Sequence, residues 1–264
     1  MPQNALVLSP NNSKAAVYDR DAINYFSRAG VTNATAKAQI NAFVKGVKNL
    51  GLYNNMVCWP LRSTQNAGTG TTAYSLGGLG TYNGTLTNMV PTWGADGITF
   101  DGTNDYISTA LTSGFSAFSA FGISRKDSTS QLMYEIAKED ESANREWVIC
   151  AELSGLMQAR LFNPSLMQMG GGTATTDFRL SCLRGSSTVA KFRRNNAADT
   201  IGTAGTLTQG SAPVTFGAKS NGGDRHFKGI MASAIIFNTA LSDGDTSLIY
   251  TLYKTTLGTG LGLP

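Results

Sequence analysis

The sequence predicts a mainly β protein: an antiparallel β-sandwich preceded by a small helical segment and closed by a short C-terminal helix. Two observations lead there. From Ile98 onward, short β-rich runs alternate with turns built on Gly, Asn and Asp, and no helical periodicity intervenes before residue 241. Charged residues make up only 14% of the chain, against about 25% in an ordinary domain. The surface is therefore largely Ser, Thr, Asn and Gly, a composition that suits exposed β surfaces and lasting packed interfaces. A single sandwich can occupy most of 264 residues.

Three regions follow in order. Residues 1–20 read as an N-terminal arm whose one apolar run, Ala5 to Leu8, is stopped by Ser9-Pro10. Its Leu6 and Leu8 are candidate contacts with a partner, either as an added strand on a neighbouring sheet edge or as a strand of this domain. Residues 21–97 form a helical and glycine-rich loop region. Asp21 is placed to cap a helix that Gly30 stops, and Asn33 to cap a second one. In the second, Ala36, Ile40, Phe43, Val44, Val47 and Leu50 define one apolar face, with Lys37, Lys45 and Lys48 off it. Such a helix packs against something large.

Residues 98–264 form the sandwich. The stretch 98–111, with Asp101-Gly102-Thr103-Asn104-Asp105 at its centre, reads as a hairpin marking where the β domain begins. Further strands are expected at 117–124, 132–138, 147–153, 156–162, 178–183, 188–194, 213–218 and 228–237, with Gly170-Gly171-Gly172 among the separators. Ser242 or Asp243 caps a closing helix over 241–257, and the tail 258–264 is ordered only if something holds it.

Two of these segments carry a resemblance. Phe100-Asp101-Gly102-Thr103-Asn104-Asp105-Tyr106 is similar to the F-D-G-x-x-D-Y turn of concanavalin A-like lectin/glucanase (laminin-G-like) jelly rolls. The run from Phe227 to Asp243 resembles that family's F-x-G-x-I…N-x-A-L-[ST]-D ending. Residues 32–53 and 249–264 resemble segments that flank this domain in structural proteins of tailed bacteriophages. The resemblance implies a non-enzymatic virion protein, foremost a capsid decoration (cement) protein on the capsid exterior, made in the host cytoplasm. Its partners would be the major capsid protein and itself, as a homo-oligomer such as a trimer. The alternatives are a glycan-binding module of a tail fibre or spike, which would engage host surface glycan, and a glycan hydrolase.

Each chemistry makes its own demand on the residues. Hydrolysis needs two carboxylates across the scissile bond. The nearest pattern is Glu135 with Glu139, Asp140 and Glu141, but Ala137 stands where the family's β-glucanases carry a middle Asp, so no catalytic residue is assigned. His226 is the single histidine and no G-x-S-x-G elbow exists, which argues against triad chemistry and a histidine metal site. Oxygen ligation of calcium at Asp101, Asn104 and Asp105 competes with their role as turn formers, and the latter is preferred. Gly68-Thr69-Gly70-Thr71-Thr72-Ala73 lacks the strand and helix of a dinucleotide site. No cofactor is expected. Cys58, Cys150 and Cys182 have no paired spacing and read as reduced thiols. No apolar run is long enough to cross a membrane.

For sugar binding the candidates are Trp93 and Trp147, with Tyr134 and Phe162 behind them. For a partner surface they are Arg193 and Arg194, in a cluster with Arg179, Arg184 and Lys191. A net charge of +4 is too small and dispersed to argue for nucleic acid.

Overall fold

The computed structural model describes residues 17–89, 93–127, 132–139, 146–151, 156–162, 166–173, 175–220 and 222–264. Two helices come first, α1 (Arg20–Ala29) and α2 (Ala34–Asn49). The cap of α1 is Asp19 rather than Asp21: its carboxylate accepts from the Asp21 N–H, and Gly30 ends the helix in the left-handed region at φ 65°. Asn33 caps α2 through the Ala36 N–H, as its position predicts. Lys48 at the end of α2 reaches back to Asp19 and Asp21 at 2.7 and 2.6 Å, tying the two helices together.

Strands β1 (Met56–Pro60), β2 (Thr72–Ala73), β3 (Gly84–Thr87), β4 (Ile98–Asp101) and β5 (Tyr106–Thr109) precede the long strand β6 (Ala117–Lys126). Then come β7 (Met133–Lys138), β8 (Trp147–Ala151), β9 (Leu156–Phe162), β10 (Leu166–Thr173) and β11 (Arg179–Ser186). Last are β12 (Ala190–Arg194), β13 (Thr200–Ile201), β14 (Thr215–Phe216), β15 (Lys228–Phe237) and the helix α3 (Asp243–Thr255). One sheet has the order β1-β15-β6-β11-β12-β13, with β4 also pairing β15; the other runs β10-β9-β8-β7-β14-β5-β3-β2. All these pairings are antiparallel. The expected antiparallel sandwich with helices at both ends of the chain is what forms.

Three further expectations give way. The 98–111 stretch is no hairpin: β4 pairs with β15, whereas β5 pairs with β14 and β3 in the opposite sheet. Its turn residues carry the chain from one sheet to the other, with Gly102 at φ 82° against the Lys228 side chain. The β architecture starts at Met56 rather than Ile98, because β1 adds to β15 and β2 and β3 extend the second sheet. A strand was also missed at Leu166–Thr173, where three successive glycines read as a turn; the ladder with β9 continues through them with a register shift between Gly170 and Thr173.

The two sequence motifs meet in space. Asp101 pairs with Lys228 and Phe100 with Gly229, and the Phe100 and Phe227 rings pack edge to face at 5.8 Å. The motif glycine Gly229 sits at φ 148°, where a Cβ would come within 2.2 Å of the Arg125 carbonyl oxygen on β6. Only glycine allows β15 and β6 to lie this close.

The first sheet packs apolar residues on both faces. Phe118, Ala120, Met231, Ala234 and Ile236 face the other sheet, across which lie Trp147, Ile149 and Leu161. Phe121, Ile123, Ala232, Ile235 and Phe237 point the opposite way, into a second core built with Ile40, Phe43, Val47, Ile249 and Tyr253 of the helices. The molecule thus has three layers: helices, sheet, sheet. The large partner expected of α2 is this sheet. Each fully buried Phe or Leu here contributes roughly 1.5–3 kcal/mol. No helix among the described residues is long and apolar enough to cross a membrane.

The tail is held. Arg62 donates to the Leu257 and Thr259 carbonyls at 3.1 and 2.8 Å, the Tyr250 hydroxyl donates to the Pro264 carbonyl, and Leu261 and Leu263 are buried in the helix-side core.

Candidate functional site

The carboxylates that spacing offered for hydrolysis do not face a groove. Glu135 is fully buried and points between the sheets, where Gly122 leaves room for it: a Cβ there would lie 2.5 Å from Glu135 Oε1. Lys126 Nζ stands 3.8 Å from the other carboxylate oxygen. Glu139 is also buried, and Asp140 and Glu141 lie outside the described residues. Lys138, at the other end of the same strand, is buried too; it pairs with Glu146 at 2.7 Å and donates to the carbonyls of Thr112, Gly210 and Ala212. Lys138 and Glu146 are buried charges satisfied from within, which is a structural use; Glu135 has the Lys126 charge beside it but, among the described residues, no hydrogen bond to either carboxylate oxygen.

Trp147 offers no sugar platform. It is 1% exposed and stacked on Phe118 with ring centres 4.9 Å apart, in the core between the sheets. A tryptophan at an inward position of β8 is the largest side chain available to fill that layer, which is why it goes inside. Tyr134 is buried as well, and the Phe162 side chain lies outside the described residues. Trp93 is half-buried against the inter-sheet core, and its indole N–H donates to the Gly70 carbonyl at 3.0 Å. Asp101 and Asp105 act as turn formers: Asp101 Oδ1 accepts from the Thr103 and Asn104 N–H groups, and Asp105 Oδ2 from the Asp101 N–H. The Thr103 hydrogen bond lowers the pKa of Asp101, while burial raises that of Asp105. Among the described residues no three His, Cys, Asp or Glu side chains cluster as metal ligands. The thiols of Cys58 and Cys182 are pushed up to about 12 by burial and are inert.

The basic cluster is spent internally. Arg184, 1% exposed, bonds Asp199 at 2.6 Å and Asp243 at 2.7 Å; Lys191 reaches Asp243 at 2.8 Å; Arg193 pairs with Asp199 at 2.9 Å and donates to Ser247 Oγ. Hydrogen bonds from Lys191 and Arg184 hold Asp243 well below the usual carboxylate range. Burial works against the Asp199 charge, but the two guanidinium groups outweigh it and its pKa falls. Arg193 therefore anchors α3 to the sheet rather than presenting a partner surface. Arg194 lies on the inward face of β12 with Phe192; burial lowers its pKa and the Glu135 charge opposes that. Leu6 and Leu8 lie outside the described residues.

A recess opens at the far end of the same sheet face. Arg125, Thr176, Asp177, Phe178 and Arg179 line one side and the tail at Leu261 and Gly262 the other, enclosing about 520 Å³. The β6–β11 register pairs Arg179 with Ser124, so Arg125 falls opposite Phe178 on the outward face. Its guanidinium lies 5.6 Å over the Phe178 ring. Arg179 donates to the Phe178 carbonyl and to Asp177. The grouping of Arg179 with Arg184, Lys191, Arg193 and Arg194 gives way here, and Arg125 stands outside it. Nothing in Ser124-Arg125-Lys126 distinguishes a recess-lining cation from an ordinary solvated one.

No protein-family model matches this sequence, and no curated protein matches it. Solved structures do. The chain is similar to a mutant Trypanosoma rangeli sialidase displaying trans-sialidase activity, with 10% identity and a TM-score of 0.61 over 85% of this chain and 38% of that one. It is similar to the botulinum neurotoxin serotype D ligand binding domain in complex with N-acetylneuraminic acid, with 14% identity and a TM-score of 0.52 over 76% of this chain and 52% of that one. The chain thus spans only about half of the toxin domain and less of the sialidase. At these identities the likeness is one of fold: a lectin-like β-sandwich.

Proposed function

We propose that this chain is a non-catalytic recognition module that binds glycan, with the recess beside Arg125 as its site. The observation that carries the reading is the preformed recess itself. It lies within the roughly 300–1,000 Å³ of small-molecule sites, and it is lined by a guanidinium, a hydroxyl and a carboxylate that stand at its exposed rim. Those are the groups that hydrogen-bond sugar hydroxyls. The fold's occurrence in a toxin domain solved with N-acetylneuraminic acid supports the reading by analogy. The burial of Glu135 and Glu139 supports binding without hydrolysis. Presenting the full chain to an array of surface glycans tests it: retention of at least one glycan without release of reducing ends is expected, and retention of none would refute it.

A second reading, the capsid cement role, has one observation in its favour. Leu248 on α3 is half exposed beside Leu252, over a shallow apolar groove of about 280 Å³. The groove's other side is Gly46 of α2 and its C-cap Leu50, and such a face suits docking on another protein. Co-sedimentation with capsids, abolished by Leu248→Asp, is the expected result under this reading.

A further inference from the structure

We infer that the recess receives a carboxylate carried on a sugar, with the Arg125 guanidinium as its anchor. The inference rests on the glycan-binding reading and narrows it to acidic saccharides. The Arg125 side chain makes no hydrogen bond and no ion pair among the described residues; its one contact of note is the Phe178 ring, 5.6 Å away. The ring is 6% exposed, so it serves as a support under the guanidinium rather than as a platform of its own. Resting against this ring leaves the guanidinium's fork of N–H donors free for a ligand.

The neighbouring charges decide what the anchor takes. Arg179 is already occupied: Nη2 donates to Asp177 Oδ2 at 3.1 Å and Nη1 to the Phe178 carbonyl at 2.9 Å. Arg125 is then the one lining cation without an acidic partner among the described residues, and Asp177 opposes the entry of a second negative charge. A planar monoanion that accepts two parallel N–H bonds fits this arrangement, which describes a carboxylate better than a dianionic phosphate. The exposed Thr176 hydroxyl and the free edge of Asp177 remain for hydroxyl groups of the same sugar. Buried Leu261 supplies an apolar wall for its C–H face. The other cations of this sheet face show the contrast. Arg184, Lys191 and Arg193 all close on Asp199 or Asp243.

Titration calorimetry and saturation-transfer NMR of the full chain with 3′-sialyllactose, a galacturonic acid trimer, lactose and 3′-sulfated lactose test the assignment. At least one of the two carboxylated probes is expected to bind at least tenfold more tightly than lactose. Arg125→Gln should weaken that probe by about 10- to 100-fold, and Arg125→Lys should restore only part of the loss, with the melting temperature unchanged in both. Undiminished binding by Arg125→Gln, equal binding of lactose, or tighter binding of the sulfated probe would each overturn the carboxylate assignment while leaving the module a glycan binder. Failure of all four probes would overturn the assignment too; a parallel glycan array that also stays blank would take the glycan-binding reading with it.

Discussion

Two groups of arginines stand on the outward face of the same sheet and have opposite fates. At one end, Arg184 and Arg193 are buried and locked to Asp199 and Asp243, where they pin α3 over the helix-side core. At the other end, Arg125 rests on Phe178 with its donors uncommitted, beside a recess. The residue type is the same and the sheet is the same. What separates them is whether the chain returns an acid to the spot: α3 begins with Asp243 above the first group, whereas the tail that crosses near the second brings Leu261 and Gly262. The first group contributes to stability; the second is the one the proposed ligand would use.

The sharpest way to break this contrast is to exchange the roles by mutation. Arg184→Ala leaves Asp199 with one guanidinium fewer in a buried site, and should cost about 3–5 kcal/mol in denaturant unfolding. Arg125→Ala should cost less than about 0.5 kcal/mol, as surface changes do. Comparable losses for the two would erase the distinction. Trp147→Ala, in the core between the sheets, is expected to cost a similar 3–5 kcal/mol, which separates it from a sugar-contacting tryptophan whose loss would spare stability.

A smaller effect is expected at Gly122. Replacing it with Ala forces the buried Glu135 carboxylate aside, at about 1–3 kcal/mol; the melting temperature of the Gly122→Ala, Glu135→Gln double mutant should fall by a different amount than the two single changes added together.

Acid gives the mildest test. The folded-state pKa values of Asp199 and Asp243 lie below their unfolded value of about 3.9. Their contribution is therefore complete above pH ~4 and disappears as pH falls through the lower folded values. Hydrogen exchange between pH 5 and 2 should show α3 losing protection before the β7–β8 ladder does.

Much of the β architecture could be read from the chain because its signals are local. β15 lies where the closing motif predicts, Asn33 and Ser242 are caps, and the apolar face of α2 is the one that packs. The third layer was legible in principle: Met56-Val57-Cys58-Trp59 and Ile235-Ile236-Phe237 are apolar on successive positions, the mark of strands covered on both faces. The corner at 98–111 was not, since Asx and Gly residues serve a hairpin and a sheet-to-sheet crossing equally well. The site was the least legible part. Arg125, Phe178 and Leu261 are far apart in sequence, and whether a cation finds an acid depends on contacts that no spacing encodes.

The way the tail is stitched down has a practical corollary. Because Tyr250 and Arg62 fix it and Leu261 and Leu263 plug into the helix-side core, Pro264 is brought to the mouth of the recess. A purification tag or surface tether fused there would sit across the opening and hide it from any ligand offered in a binding assay. Immobilisation chemistry is better directed to the opposite flank, for instance at the exposed edge near Ile201.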